Sequence, residues 1–301
     1  VRGIENKAND PKLKGVVRNG RLPRIGTAVV AGAGLGVVGC VLQAILDNPL
    51  ASASTLGVSQ GASFGAAFAI IGLNAGAQNG GGLLISLAAF AGSMGVAVVI
   101  LGLSRFSQIT PESIVLAGVA ISSMFTGATT LLQYFADEVE LTTLTFWTFG
   151  DLGSAGRGQI RFMLLVVLLS SVYFIFHRWD FNALLAGTET AASLGIHVRR
   201  LILINMILCC FTASTIVSYV GLINFIGLVA PHIVRRLVGN NHVYLIPGTI
   251  LAGASLLLLG DLLARTIVSP VILPIGAITS FLGAPLFLYL LFKGGRGNAE
   301  R

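Results

Sequence analysis

Charged residues are scarce in this chain. Only 10% of its 301 residues are Asp, Glu, Lys or Arg, whereas 54% are hydrophobic, and the mean hydropathy is +0.87. An average soluble domain carries roughly 25% charged residues. A chain this poor in polar side chains cannot cover a water-facing surface. The composition therefore excludes an ordinary soluble protein and predicts a polytopic membrane protein.

Residues that carry out catalysis or hold cofactors are also sparse. There is no Walker A loop, so the chain does not bind ATP in that way. No nucleophile–base pair and no metal-ligating set stands out among the four histidines, and the net charge of +7 is scattered, without a nucleic-acid-binding patch. The cysteines lie inside apolar runs without CxxC spacing, as small packing residues: Cys40, Cys209 and Cys210. These absences predict a protein that is not an enzyme and uses no cofactor, metal or nucleic acid.

Long apolar runs predict the fold class, an all-α polytopic membrane helical bundle. A β-barrel would show alternating segments of about ten residues, but the runs here are continuous and long enough for helices. About nine helices are expected: 23–46, 55–73, 83–103, 113–136, 160–178, 200–220, 222–238, 245–263 and 274–292. The span 222–238 is short and contains Pro231.

Basic residues predict the orientation of these spans. With the C-terminus in the cytoplasm, most Lys and Arg residues near helix ends are cytoplasmic, including Arg235 and Arg236, and few are external. The basic N-terminal tail contradicts this pattern unless another helix precedes Val1. We therefore expect ten spans in the intact protein, with residues 1–20 as an external loop, 21–293 as the transmembrane domain and 294–301 as a cytoplasmic tail.

One helix carries a polar stripe. Its residues recur at steps of four, three and four, which places them on one helical face: Ser122, Thr126, Thr129 and Gln133. An uncharged polar face inside a membrane either lines a wet cavity or bonds neighbouring helices. If it lines a pathway, that pathway suits a bulky solute more than a selectively coordinated ion.

Three connections between spans have a distinctive composition. The cytoplasmic connection 179–199 predicts one or two short helices, either docking on a partner or simply joining spans. The external connection 141–159 carries Trp147 and Phe149, which favour membrane anchoring over the alternative of ligand stacking. In the polar interruption 47–52, Pro49 ends the first helix, and either tight packing or a narrow gate explains the small residues that follow.

Arginines mark the external side. Arg21 and Arg24 flank Leu22-Pro23, and Arg265 lies on the same side, four residues after Asp261, where an i,i+4 ion pair is expected. Exposed arginines there either bind carboxylates of a partner through bidentate contacts or anchor helices at the headgroups.

Several segments, in this order, resemble one known family. They are RLPR (21–24), GAGLGVVGCVLQAILDNPLASASTLGVSQGASFG (32–65), LAGVA (116–120), LGI (194–196), GLINFIGLVAPHIVRRLVGNNH (221–242), GDLLAR (260–265) and LPIGAITSFLGAPLFLYLL (273–291). The chain resembles, from about Arg21 to Lys293, the FecCD-type permeases of ATP-binding-cassette (ABC) importers for iron-siderophores, haem and vitamin B12.

The resemblance implies a set of partners and sites. It implies a permease homodimer in the bacterial inner membrane, two cytoplasmic ATP-binding subunits that hydrolyse ATP, and an extracytoplasmic substrate-binding protein. The implied binding-protein docking residues are Arg21, Arg24 and Arg265. The implied ATPase-coupling residues are Gly187, Glu189, Ala192, Leu194 and Gly195. The implied gate residues are Asn48 and Leu50, and the implied pathway includes the polar stripe.

A second function class stays open from the residues alone. An ion-coupled secondary transporter of a small polar solute would need carboxylates inside the membrane or an unwound ion site. The sequence lacks the first and shows little of the second. Transport driven by ATP or by an ion gradient distinguishes the two.

Overall fold

Helices form the regular structure of this chain throughout the residues that the structure describes. The computed structural model describes residues 17–77, 81–106 and 111–297, so the expectations for 1–16 and 298–301 lie outside the described residues. In chain order the α-helices are α1 Leu22–Ile45, α2 Val58–Ala67, α3 Gly81–Phe106, α4 Pro111–Phe135, α5 Glu138–Phe149, α6 Arg157–Phe176, α7 Arg178–Leu184, α8 Thr188–Ser193, α9 Val198–Val220, α10 Ile226–Val238, α11 His242–Thr266 and α12 Ile275–Gly297. The all-α prediction is confirmed.

The expected number of about nine helices is wrong. Twelve α-helices occur in the described ranges, and six of them (α1, α3, α4, α6, α9 and α11) are long and apolar enough to cross a membrane. The segments Val58–Gly72 and Ile275–Leu290, the latter within α12, are apolar but shorter, and α10 has 13 residues. Of the three additional helices, α7 and α8 are the short helices expected in the connection 179–199, whereas α5 lies in the external connection, where no helix was expected. The chain is a multi-pass membrane protein.

Helix α1 lies at the centre of the bundle. In its apolar window 83% of the residues are buried, and it packs against α6, α9, α10 and α11. Its closest neighbour is α11, because Gly32 of α1 and Gly253 of α11 bring the two backbones together. A Cβ atom at either glycine would overlap the carbonyl oxygen of the other. Small residues allow this approach, which maximises van der Waals contact between membrane helices.

Helix α4 lies at the periphery. Only 17% of its apolar window is buried within the chain. It contacts α2, where Gly118 packs on the backbone of Thr55 and Leu56, and where the rings of Phe125 and Phe64 lie 5.4 Å apart. Most of its surface is therefore available to lipid or to another subunit.

The short helix α5 has a sequence signal that the apolar pattern conceals. Asp137 accepts a hydrogen bond from the Glu140 backbone N–H (2.8 Å), and Glu140 accepts one from the Asp137 N–H (3.0 Å). This reciprocal pair is a capping box, which fixes a helix start. The acidic residues between α4 and α6 therefore initiate a helix in the external connection, where the sequence analysis expected only an anchoring segment.

The antiparallel course of α1 and α11 defines two ends of the bundle. The start of α1, the connection between α5 and α6, and the end of α11 meet at one end. The start of α11 meets α7 at the other end, and α1 also packs on α7. In the orientation indicated by the basic residues, the first end is external and the second is cytoplasmic.

Candidate functional sites at the two ends of the bundle

An ionic cluster joins three segments at the external end. Arg24, in the first turn of α1, donates from Nε to Asp261 Oδ1 (2.6 Å) and from Nη1 to Asp151 Oδ1 (3.0 Å). Arg265 Nη2 lies 2.8 Å from Asp261 Oδ2, an ion pair whose alignment is not that of a hydrogen bond. The i,i+4 pairing of Asp261 with Arg265 is thus confirmed, and we call these four residues the external ionic cluster.

Burial differs sharply within the external ionic cluster. The Asp261 side chain is fully buried and that of Arg24 is 11% exposed, whereas that of Asp151 is 55% exposed. Arg24 was expected to be exposed, and this part of the expectation is wrong, because its side chain is almost buried. The guanidinium group turns inward because it compensates a buried carboxylate, which would otherwise be strongly destabilising.

A cavity of about 750 Å³ opens beside the external ionic cluster. All charged side chains among its lining residues are arginines: Arg21, Arg24, Arg157 and Arg265. The structure therefore brings the three arginines singled out in the sequence to one cavity and adds Arg157, at the start of α6. Arginine forks bind carboxylates and other oxyanions in bidentate fashion, so the cavity suits an anionic group from outside.

Sequence reasoning did not identify Asp151 or Arg157 as part of this site. Asp151 lies just after α5, and Arg157 is the first residue of α6. Both come from the connection between α5 and α6, far along the chain from α1 and α11. No local pattern specifies that this connection folds over the start of α1, although the turn residues Gly150, Gly153 and Gly156 show that it is a compact loop.

At the cytoplasmic end, two glycines frame the single-turn helix α8. Gly187 and Gly195 have φ angles of +101° and +86°, and neither has an atom close enough to crowd a Cβ. Backbone conformation, not packing, therefore requires glycine there. Between them, Glu189 and Ala192 are exposed and only Ala191 of α8 is buried. The five predicted coupling residues thus lie in one short exposed segment, 187–195, that contains α8.

Leu194, directly after α8, is 68% exposed. It belongs to the connection between α6 and α9, not to a membrane-spanning helix, so lipid does not account for its exposure. Leu194 is thus an apolar side chain on the same short exposed segment that carries the carboxylate of Glu189.

The connection that contains α7 and α8 is attached to the start of α11 through residues of α7. Asn182 of α7 accepts a hydrogen bond from the His242 backbone N–H (2.8 Å) and donates one to Asn241 Oδ1 (2.9 Å). Asn241 also caps α11 by accepting from the Val243 N–H (3.0 Å). The buried Phe181 packs on the His242 ring, with centroids 5.7 Å apart. Displacement of α7 therefore acts directly on α11.

The polar stripe of α4 satisfies its hydroxyl groups within its own helix. Ser122, Thr126 and Thr129 each donate to the carbonyl oxygen four residues earlier, at 2.7 to 2.8 Å. Thr126 is exposed, and Ser122, Thr129 and Gln133 are partly exposed. One of the two sequence-based alternatives was that these hydroxyls bond to neighbouring helices. Within the chain, the three hydroxyls donate to their own helix instead.

The predicted gate residues form the turn after α1. Asn48 Oδ1 accepts from the Leu50 N–H (2.9 Å), an Asx turn that reverses the chain towards α2. Leu50 is exposed at the cytoplasmic end. The structure thus places Asn48 and Leu50 together in the turn that follows α1.

These features occur in a chain with clear relatives. The model of the FecCD transport family matches residues 3–293. A protein of Methanocaldococcus jannaschii, named as an ABC transporter permease, is 50% identical over 92% of this chain and 82% of its own length. The hemin transport system permease HmuU of Yersinia pestis is 34% identical over 97% of this chain and 87% of its own length.

The chain belongs to the FecCD transport family. It is a permease of an ABC importer, as the resemblance in its motifs predicted. A solved structure described as a metal-chelate-type ABC transporter in an inward-facing conformation has a similar fold, with a TM-score of 0.86 and 32% identity over 95% of this chain and 90% of the other.

Proposed function

We propose that this FecCD-family permease imports an iron chelate, a siderophore complex or haem, across the cytoplasmic membrane as a homodimer. Two cytoplasmic ATPase subunits drive it, and an extracytoplasmic substrate-binding protein delivers the chelate. The observation that supports this proposal is the pair of exposed sites at opposite ends of the bundle, the arginine-lined cavity and the segment 187–195. The hemin permease and the metal-chelate-type transporter among its relatives support the substrate class.

The arginine-lined cavity is the proposed dock for the substrate-binding protein. Arg21 and Arg265 border it and face the exterior more than Arg24 does. Acidic side chains of a partner would enter with favourable long-range attraction, which accelerates encounter and is screened by salt.

The turn Gly187–Gly195 is the proposed dock for the ATPase subunits. Leu194 offers an apolar anchor, and Glu189 an exposed charge next to it. The permease itself makes and breaks no bond. Nucleotide binding stabilises one arrangement of the ATPase subunits, and the free-energy difference reaches the membrane helices through α7, Asn182 and α11.

The stripe on α4 is the proposed pathway wall between two copies of the chain. Its hydroxyls are already hydrogen-bonded, so they present a weakly polar face without strong binding groups. Such a face suits the passage of a large chelate that must not be held tightly. Asn48 and Leu50 form the proposed gate at the inner mouth.

Transport in proteoliposomes tests the energy source. The permease is reconstituted with the ATPase subunit and binding protein of the same transporter, and uptake of radiolabelled iron–hydroxamate and haemin is measured. We expect uptake of one chelate with ATP inside the vesicles and none with a non-hydrolysable analogue. Uptake driven by a proton or sodium gradient without the ATPase would contradict the proposal.

Charge reversal tests the external dock. We expect Arg21→Glu with Arg265→Glu to weaken binding-protein docking by about tenfold or more at low salt, since each change replaces attraction with repulsion. Arg18→Glu with Arg161→Glu is the charge-matched control, because both residues are exposed at the same end but do not line the cavity. Equal effects of the two double variants would rule out a local dock.

A further inference from the structure

One arginine in the external ionic cluster serves two carboxylates of very different burial. Arg24 uses Nε for Asp261, whose side chain is fully buried, and Nη1 for Asp151, whose side chain is 55% exposed. A buried charge that loses its partner is strongly destabilised, whereas an exposed pair contributes little. The bond to Asp261 is therefore the more costly one to break, and the bond to Asp151 is the one that can exchange.

We propose that Asp151 is an internal substitute for the partner's carboxylate, occupying Arg24 until the substrate-binding protein docks and displaces it. This inference rests on the proposed docking at the arginine-lined cavity. Asp261 is in turn the positioning residue that holds Arg24 and Arg265 at the wall of that cavity. The same guanidinium group lines the cavity and holds Asp151, so an incoming carboxylate and Asp151 compete for it.

Release of Asp151 has a structural consequence, because Asp151 organises the loop after α5. Its Oδ1 also accepts from the Gly153 N–H (2.9 Å), and its carbonyl accepts from the Ser154 hydroxyl (2.7 Å). The loop lies close to the arginine: a Cβ at Gly153 would be 3.2 Å from Arg24 Nη1. Breaking the Arg24–Asp151 bond therefore frees one side of this loop.

The freed loop leads directly to α5 and to the end of α9. The Asp151 backbone N–H donates to Val220 O (2.8 Å), and Gly150 and Gly221 pack backbone to backbone. Docking at the cavity thus acts on the end of α5 and on the irregular segment before α10. Through this loop, docking of the binding protein reaches α5 and the segment before α10, neither of which lines the cavity.

The test compares two acidic residues at the external end. The permease complex is placed in nanodiscs, and the affinity of the chelate-loaded substrate-binding protein of the same transporter is measured. We expect Asp151→Asn to tighten docking about two- to fivefold, the size of an exposed ion pair. Glu138→Gln removes an equal charge from the exposed start of α5 and controls for general attraction. Because general attraction is screened, the difference between the two variants should persist at high salt.

A second background shows whether the gain depends on Arg24. Arg24→Lys keeps the charge beside Asp261 but lacks the fork that holds two carboxylates at once. We expect Asp151→Asn to give no gain beyond that of Glu138→Gln in this background. An equal gain with and without Arg24→Lys, or no gain in the native background, would overturn the exchange.

Amide hydrogen exchange gives an independent readout. Docking should raise the rate of amide hydrogen exchange across 150–156 in the native protein, and Asp151→Asn should raise that rate without the partner. If docking leaves the rate in this loop unchanged, that result would count against the displacement of Asp151. Failure of this carboxylate displacement is distinguishable from failure of the proposed docking site. If charge reversal at Arg21 and Arg265 weakens docking while Asp151→Asn leaves it unchanged, the dock stands and the exchange is refuted.

Discussion

The crossing of α1 and α11 sets the distance at which the external ionic cluster forms. Arg24 lies eight residues before Gly32, and Asp261 lies eight residues after Gly253. In an antiparallel pair, both side chains are therefore about 12 Å from the crossing, towards the same end. The contact of Gly32 with Gly253 thus aligns the arginine with its buried carboxylate. Gly253→Ala tests this alignment.

The size of the effect follows from the atoms that a methyl group would meet. A Cβ at Gly253 would overlap the Gly32 carbonyl oxygen and lie 3.1 Å from the Cα of Gly36, which are backbone atoms that no rotamer change removes. The helices must separate by about 1 Å at this level, and overpacking of this kind costs about 1–3 kcal/mol. Alanine favours the helix by about 1 kcal/mol over glycine, which offsets part of the loss.

The assay is unfolding in mixed micelles with increasing sodium dodecyl sulfate, followed by circular dichroism. Gly95→Ala is the control, because a Cβ at Gly95 of α3 meets nothing within 4 Å. We expect Gly95→Ala to leave stability unchanged or slightly raised, and Gly253→Ala to lower it by about 1–3 kcal/mol relative to that control, since the helix-propensity gain is common to both variants. Docking of the binding protein should weaken as well. Equal stability of the two variants would refute the close crossing.

Two further changes probe the other proposed sites. Leu194→Ala should reduce co-purification of the ATPase subunit severalfold, because it removes the exposed apolar anchor. The control is Leu237→Ala, at a similarly exposed leucine at the end of α10, which should not reduce it. Equal loss in the two variants would refute the anchor. Thr126→Val should leave unfolding almost unchanged, because the hydroxyl bonds only to its own helix, yet change the uptake rate at least twofold. Thr145→Val on α5 removes a similar hydroxyl and should leave uptake unaltered; the same uptake in both variants would argue against a pathway on α4.

Local patterns were sufficient for the features that local physics determines. Apolar runs predicted where the spans lie, and the four-residue spacing predicted the Asp261–Arg265 pair. The position of Arg24 could not be read in this way, since its burial depends on the register between two helices more than 200 residues apart in sequence. The same holds for Arg235, expected among the headgroups, which donates to the buried Gln43 of α1 (3.0 Å).

The missed helix α5 shows a different cause of error. Its start is marked in the sequence by Asp137 with Glu140 three residues later, the pattern of a capping box. A membrane helix is recognised by hydropathy, whereas a short helix outside the bilayer core is recognised by its ends. Hydropathy alone therefore fails in the connections, which hold the proposed docking surfaces of this permease.

The distribution of burial indicates which parts of the chain move together. Helices α1 and α11 are joined at their crossing by glycines, at the external end by Arg24 and Asp261, and at the cytoplasmic end α11 is attached to α7 through Asn182. Close-packed contacts of this kind have one arrangement and resist gradual deformation. Helix α4 has few contacts within the chain, so its displacement breaks little packing. A switch in access thus costs least if α1 and α11 transmit force as one body while α4 shifts against it, which places the moving wall where the polar stripe lies.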